Sequence, residues 1–289
     1  MKLAQYVSEG KPKVGIVEGD LVYDAGESSI DQVLSKGLLN SIRERARSIM
    51  TAGEGVPLDS VLLLSPIRYP EKIFCVAENY RSHVRESDSK AAAKPYLFTK
   101  FRNSIIGPND PIVIPRISQK VDWEAELAVV IGKEGKHISE DLAMGYVAGY
   151  CISNDVSFRD LQFPEGWPKV LSRLGQNWVL GKGLDGALPL GPWLVTADEI
   201  PDPHNLGISL SLNWQVKQNS NTGDMIFSVA SLISYISAGI TLRPGDIIST
   251  GTPQGVAAFT DQRYLKTGDV VEARIDRIGS LRNPVVAET

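Results

Sequence analysis

The sequence predicts an α+β chain that is mainly β with some α, and three observations carry that prediction. Short apolar runs of strand length recur along most of its 289 residues, cut by many of its 26 glycines and 17 prolines. Only two stretches keep helical spacing. No Gly-x-Gly-x-x-Gly after a strand and no Gly-x4-Gly-Lys-Ser/Thr loop appears, which removes the doubly wound nucleotide-binding folds.

Residues 1–65 read as a small N-terminal α/β unit. Leu3–Val7 and Val14–Val17 predict strands, with Glu18-Gly19-Asp20 turning into Leu21-Val22-Tyr23. A helix follows over Leu38–Met50, its apolar positions Leu38, Leu39, Ile42, Ala46, Ile49 and Met50 on one face. Ser65-Pro66 and Tyr69-Pro70 read as a linker into a second domain, 70–289. There, Ala125–Ile131, Val147–Ser153, Ile208–Trp214, Asp246–Ser249 and Val270–Ile275 predict strands. Asp224–Ala238 predicts a helix striped by Ile226, Val229, Ile233 and Ile236, with Gly239 as its stop.

Composition narrows the function. A net charge of −4 without a basic block argues against nucleic acid, and no apolar run approaches the ~20 residues of a membrane span. The polar start predicts no secretory signal, so a cytoplasmic, soluble protein is expected. Cys75 and Cys151 lie in apolar runs and read as buried free thiols.

Glu124 and Glu126 are two apart in a strand-like segment and so share a face. The strand then turns wholly apolar, which draws both acids toward burial, where like charges need a cation or a shared proton. Asp155 ends a second apolar strand and supplies a third carboxylate. Hard oxygen donors of this kind suit Mg²⁺ or Mn²⁺. On pattern alone, the solvated face of an edge strand explains Glu-x-Glu equally well. With only His83, His137 and His204 available and no Cys/His cluster of zinc spacing, the sequence argues against a zinc site.

At the level of motifs, the chain resembles the fumarylacetoacetate hydrolase family. The resemblance runs through Glu124-Ala125-Glu126-Leu127-Ala128-Val129-Val130-Ile131-Gly132, Asn154–Asp160, Gly181–Asp185, Asn221–Phe227 and Arg243–Val256, in order across residues 70–289. It implies a mixed β-sandwich roll of the fumarylacetoacetase C-terminal type, usually a homodimer, with Mg²⁺ or Mn²⁺ held by Glu124, Glu126 and Asp155. It also implies that Arg159, Gln162 and Lys182 meet the carboxylate and 2-oxo group of a small 2-oxo or enol acid, with Thr252 beside the metal.

Arg159 could grip a carboxylate bidentately, its bland alternative being a surface pair with Asp160 or Glu165. Lys182 lies between two glycines that permit close backbone approach. Asn79-Tyr80-Arg81-Ser82-His83-Val84-Arg85-Glu86 matches a further family segment. On a helix, His83 and Glu86 are neighbours at i, i+3, a general base and its orienting acid; an exposed helical histidine is the rival. Ser87–Lys94 reads as a lid, and 164–173 as a loop bordering the pocket and setting substrate size. His137 and His204 receive no role.

The expected activity is hydrolysis of a C–C bond in an acylpyruvate or 2,4-dioxo acid. Oxaloacetate decarboxylation and 2-oxo/enol isomerisation could use the same residues. A ligand-binding protein without turnover is the alternative of another class.

Overall fold

The computed structural model describes residues 1–163 and 176–289. A twelve-stranded mixed sheet runs through the molecule. At its centre, Ala125–Ile131 pairs antiparallel with Val147–Asn154 on one side and with Ile247–Ser249 on the other. Ile247–Ser249 then pairs parallel with Ile73–Ala77, which pairs with Tyr96–Thr99. In the other direction Val147–Asn154 joins Leu188–Thr196, and that strand joins Lys2–Ser8 through Lys2↔Val195 and Leu3↔Leu194. The N-terminal strands thus extend the central sheet.

A second, five-stranded sheet packs on one face of the first. It contains Gln215–Asn221, Gly207–Leu212, Val270–Ile275, Gly279–Ala287 and Ile112–Ile114. Leu127, Val129 and Ile131 point into this layer with Tyr150, Ile152, Leu210, Val271 and Leu281. Ala128, Val130, Cys75 and Cys151 point to the opposite face, where Leu3, Ile30, Val33 and Ile42 cover them. Burial on both faces explains why the strand after Glu126 is uniformly apolar instead of alternating. Each such Leu, Ile or Val contributes about 1.5–3 kcal/mol. The two cysteines are free and buried, as expected.

The N-terminal helix spans Leu39–Ala52 with Ile42 fully buried, and a shorter helix over Ile30–Ser35 precedes it. Two boundaries differ from the sequence expectation. The strand read to Trp214 ends at Leu212, because Asn213 and Trp214 take positive φ values of 49° and 65° in the turn to Gln215. The helix read from Asp224 starts only at Val229, with Ser228 capping the Ser231 N–H at 3.1 Å. Ile226 is outside it because Asn79 takes the local backbone: the N–H groups of Ile226 and Phe227 donate to Asn79 O and Oδ1 at 2.8 Å each. Among the described residues, no helix is long and apolar enough to cross a membrane.

Candidate active site

Two neighbouring strands bring the three acids together. Ala125 pairs with Asn154 and Glu126 with Ser153, so Glu124 and Asp155 extend the same ladder; Asp155 N donates to Glu124 O at 2.9 Å. Asn154 Oδ1 fixes the Glu124 N–H at 2.9 Å. Carboxylate oxygens of Glu124, Glu126 and Asp155 lie within 4.8 Å of one another, and all three residues are buried.

Cations from distant segments meet this cluster. Lys182 Nζ donates to Glu124 Oε2 at 2.8 Å and to Asp155 Oδ2 at 2.9 Å. Arg159 Nη2 donates to Glu124 Oε1 at 2.6 Å, its Nη1 to Gln162 Oε1 at 3.1 Å, and its Nε to Asp122 Oδ2 at 2.9 Å. The bland expectation for Arg159 is not met at Asp160, which instead accepts from Ser118 Oγ and Gln119 N. The glycines flanking Lys182 are sterically required: a Cβ at Gly181 would lie 2.6 Å from Gln162 Cβ, and one at Gly183 would lie 2.7 Å from Phe101 Cδ2.

Glu126 makes no ion pair among the described residues. Its Oε2 accepts from Ser249 Oγ and, at 3.0 Å, from Gly251 N, while Ser249 also contacts Ser153 Oγ at 2.7 Å. The electrostatics follow. Burial pushes the Glu124 carboxyl up, but Lys182 and Arg159 outweigh it and hold it at about 2. Burial also pushes Glu126 up, and Asp155 and Glu124 push it the same way, so it lies well above the carboxylate range. For Lys182, burial favours the neutral amine, yet Asp155 and Glu124 win and keep the ammonium.

These residues fit a hard divalent cation. The donor set is all carboxylate oxygen, and Asp155 Oδ1 is buried without an aligned hydrogen bond, although Lys100 Nζ lies 2.8 Å away. With every group ionised, the four buried carboxylates of Asp122, Glu124, Glu126 and Asp155 would face the three buried cations of Lys100, Arg159 and Lys182, a deficit of one positive charge. A divalent ion would turn that deficit into an excess of one, suited to an anionic substrate.

The cluster forms one wall of a cavity of about 250 Å³, to which Glu124, Glu126, Arg159, Gln162, Lys182 and Thr252 contribute. Thr252 Oγ1 donates to Ala125 O at 2.9 Å and accepts from Gln218 Nε2 at 2.8 Å, so its hydroxyl is already engaged. Facing them are His83, Phe259 and an aromatic wall in which Phe98 stacks on Trp178 at 4.4 Å. Arg81–Glu86 is helical, and His83 Nδ1 lies 3.4 Å from Glu86 Oε2. Ala92, from the segment read as a lid, also borders the cavity, whereas the loop 164–173 lies outside the described residues.

Four participants escaped the sequence reading. Asp122, Lys100, Ser249 and Gln218 all look like ordinary polar positions until folding buries them. Asp122 alone carried a signal, an acid two residues before Glu124. His204, given no role, accepts the Val229 N–H at Nε2, 3.0 Å away, at the start of the Val229–Ser237 helix.

A mixed-sheet roll enclosing a carboxylate triad beside a buried lysine and arginine defines a class of site that could hold a divalent metal ion beside a small acid. The model of the fumarylacetoacetate (FAA) hydrolase C-terminal family matches residues 72–286. The chain belongs to that family. It is 47% identical over 248 residues to the mitochondrial oxaloacetate tautomerase fahd2 of Xenopus laevis, covering 85% of this chain and 75% of that one. It superposes on the fumarylacetoacetate hydrolase of Exiguobacterium antarcticum with a TM-score of 0.85, at 34% identity over 100% of both chains. The maleylpyruvate hydrolase of Sphingobium sp. SYK-6, solved with manganese (II) and pyruvate, gives a TM-score of 0.81 at 28% identity over 100% of both chains.

Proposed function

We propose that this chain is a Mg²⁺- or Mn²⁺-dependent tautomerase that interconverts the enol and keto forms of oxaloacetate or a similar small 2-oxo acid. The observation that carries the reading is the Lys182 ammonium held between Glu124 and Asp155, with Arg159 beside it, on the wall of the cavity. The similarity to an oxaloacetate tautomerase supports it. The hydrolytic activity expected from the sequence holds at the level of the family.

Arg159 and Gln162 bind the C1 carboxylate, and Lys182 holds the 2-oxygen and carries its proton. In the keto-to-enol direction His83, oriented by Glu86 through Nδ1, takes the C3 proton at Nε2 while the Lys182 ammonium gives a proton to the 2-oxygen, and the reverse direction returns both protons. A divalent ion held by Glu124, Glu126 and Asp155 would supply positive charge that favours the anionic form of the substrate.

C–C hydrolysis is the second reading, favoured by the His83–Glu86 pair, which could deprotonate an attacking water. A panel of enol-oxaloacetate, acylpyruvates, 2,4-dioxo sugar acids and hydroxymuconates, each with Mg²⁺ and with Mn²⁺, separates the possibilities. Loss of enol absorbance without release of CO₂ or cleavage products is the expected result. Release of CO₂ would mark a decarboxylase, and cleavage to pyruvate a hydrolase. Metal-dependent ligand binding with no turnover would mark a binding protein.

A further inference from the structure

Asp122 is fully buried one position beyond the cavity wall and touches no part of the cavity itself. It spends four hydrogen bonds on neighbours. Oδ1 accepts from Trp123 N and Ala257 N, each at 2.8 Å, and Oδ2 accepts from Ala258 N at 3.0 Å and Arg159 Nε at 2.9 Å. Three of these donors are backbone groups, so the carboxylate is rigidly placed before Arg159 meets it. The Nε contact fixes the plane of the guanidinium and leaves Nη1 and Nη2 directed at Gln162 and Glu124 on the cavity wall. The same short segment carries Phe259, whose ring packs edge-on against His83 at 5.6 Å, and begins at Gly255, whose N–H is held by Glu86 at 2.9 and 3.1 Å.

We propose that Asp122 is a positioning residue: it presets the Arg159 guanidinium for the substrate carboxylate and locks it to the turn that packs against His83. The proposal rests on Arg159 as the carboxylate grip. A guanidinium without this anchor rotates about its long side chain and must be ordered at each binding event, a loss that falls on substrate affinity.

The test is a double-mutant cycle on the Mg²⁺-loaded enzyme, with steady-state KM and kcat on oxaloacetate enol and a Mg²⁺-dependent thermal shift as the check on folding. Asp122→Asn sets an amide N–H against the donors on Oδ2, and should raise KM about 10- to 100-fold, the range for loss of a charged hydrogen bond, with a smaller change in kcat. Arg159→Met should raise KM at least as much. The double variant should match the KM of Arg159→Met alone, because Asp122 reaches the substrate carboxylate through that side chain. If Asp122→Asn fails to fold, Asp122→Ser, which leaves room for water at the turn amides, takes its place in the same cycle. Additive losses, or an unchanged KM in a folded Asp122 variant, overturn the proposal. An unchanged KM in Arg159→Met instead overturns the carboxylate grip on which it rests.

Discussion

The Nδ1 of His83 faces Oε2 of Glu86 at 3.4 Å, and that same carboxylate holds the backbone N–H of Gly255. Glu86 therefore orients the imidazole and anchors the turn leading to Phe259, two tasks of one side chain. His83→Ala should lower kcat for proton transfer about 10²–10⁴-fold while Mg²⁺ affinity is retained. Glu86→Gln keeps an acceptor for Gly255 but removes the charge, and should fall in the same range. The double variant should be little worse than either single one, as for residues acting as a unit. Steady-state kinetics with calorimetric metal titration checks this, and additive losses would dissolve the pair. Oxaloacetate decarboxylation needs no such base, so any decarboxylase activity should largely survive in His83→Ala.

Glu126 is the one acid of the triad with no ion-pair partner among the described residues. Its carboxyl holds a proton more tightly in the folded protein than at the ordinary value of 4.5, through burial and the nearness of Asp155 and Glu124. With a raised folded pKa, its favourable contribution is complete below about pH 4.5 and is lost as pH rises toward the raised value. Metal-free Glu126→Gln should therefore melt higher than metal-free wild type at pH 8, with the difference shrinking toward pH 5. It should also lose most of the stabilisation that Mg²⁺ gives the wild type. In the wild type, metal binding should release protons and tighten as pH rises, read as a buffer-dependent heat. Unchanged Mg²⁺ affinity in Glu126→Gln would remove this residue from the ion.

Lys182 compensates two buried acids at once. Lys182→Met leaves Glu124 and Asp155 with less countercharge, and breaking a buried pair of this kind costs about 3–5 kcal/mol. Chemical denaturation of the metal-free variant should show that loss, and added Mg²⁺ should restore much of it by replacing the missing charge. Turnover should stay low in both conditions, because the 2-oxygen has lost its proton carrier. A Lys182→Met protein as stable as wild type without metal would mean that the ammonium does not balance the acids.

What the sequence alone determined is local. Runs of apolar residues fixed the central strands, two-residue spacing put Glu124 and Glu126 on one wall, and helical spacing placed Glu86 beside His83. These relations span a few residues, so backbone geometry settles them without knowledge of the fold. The tertiary structure decided the rest. Asp122 meets Arg159 across 37 positions, Ser249 meets Glu126 across 123, and Asn79 displaces the start of the Val229–Ser237 helix from 148 positions away. Lys100 is equally unremarkable in sequence, yet it is buried with its ammonium donating to Val156 O at 2.9 Å, to Lys182 O, and facing Asp155. Which polar residues lose water, and which partners repay that loss, depends on the order in which strands join the sheet. That order places groups from distant segments within hydrogen-bond reach, and residue type and local spacing carry no record of it.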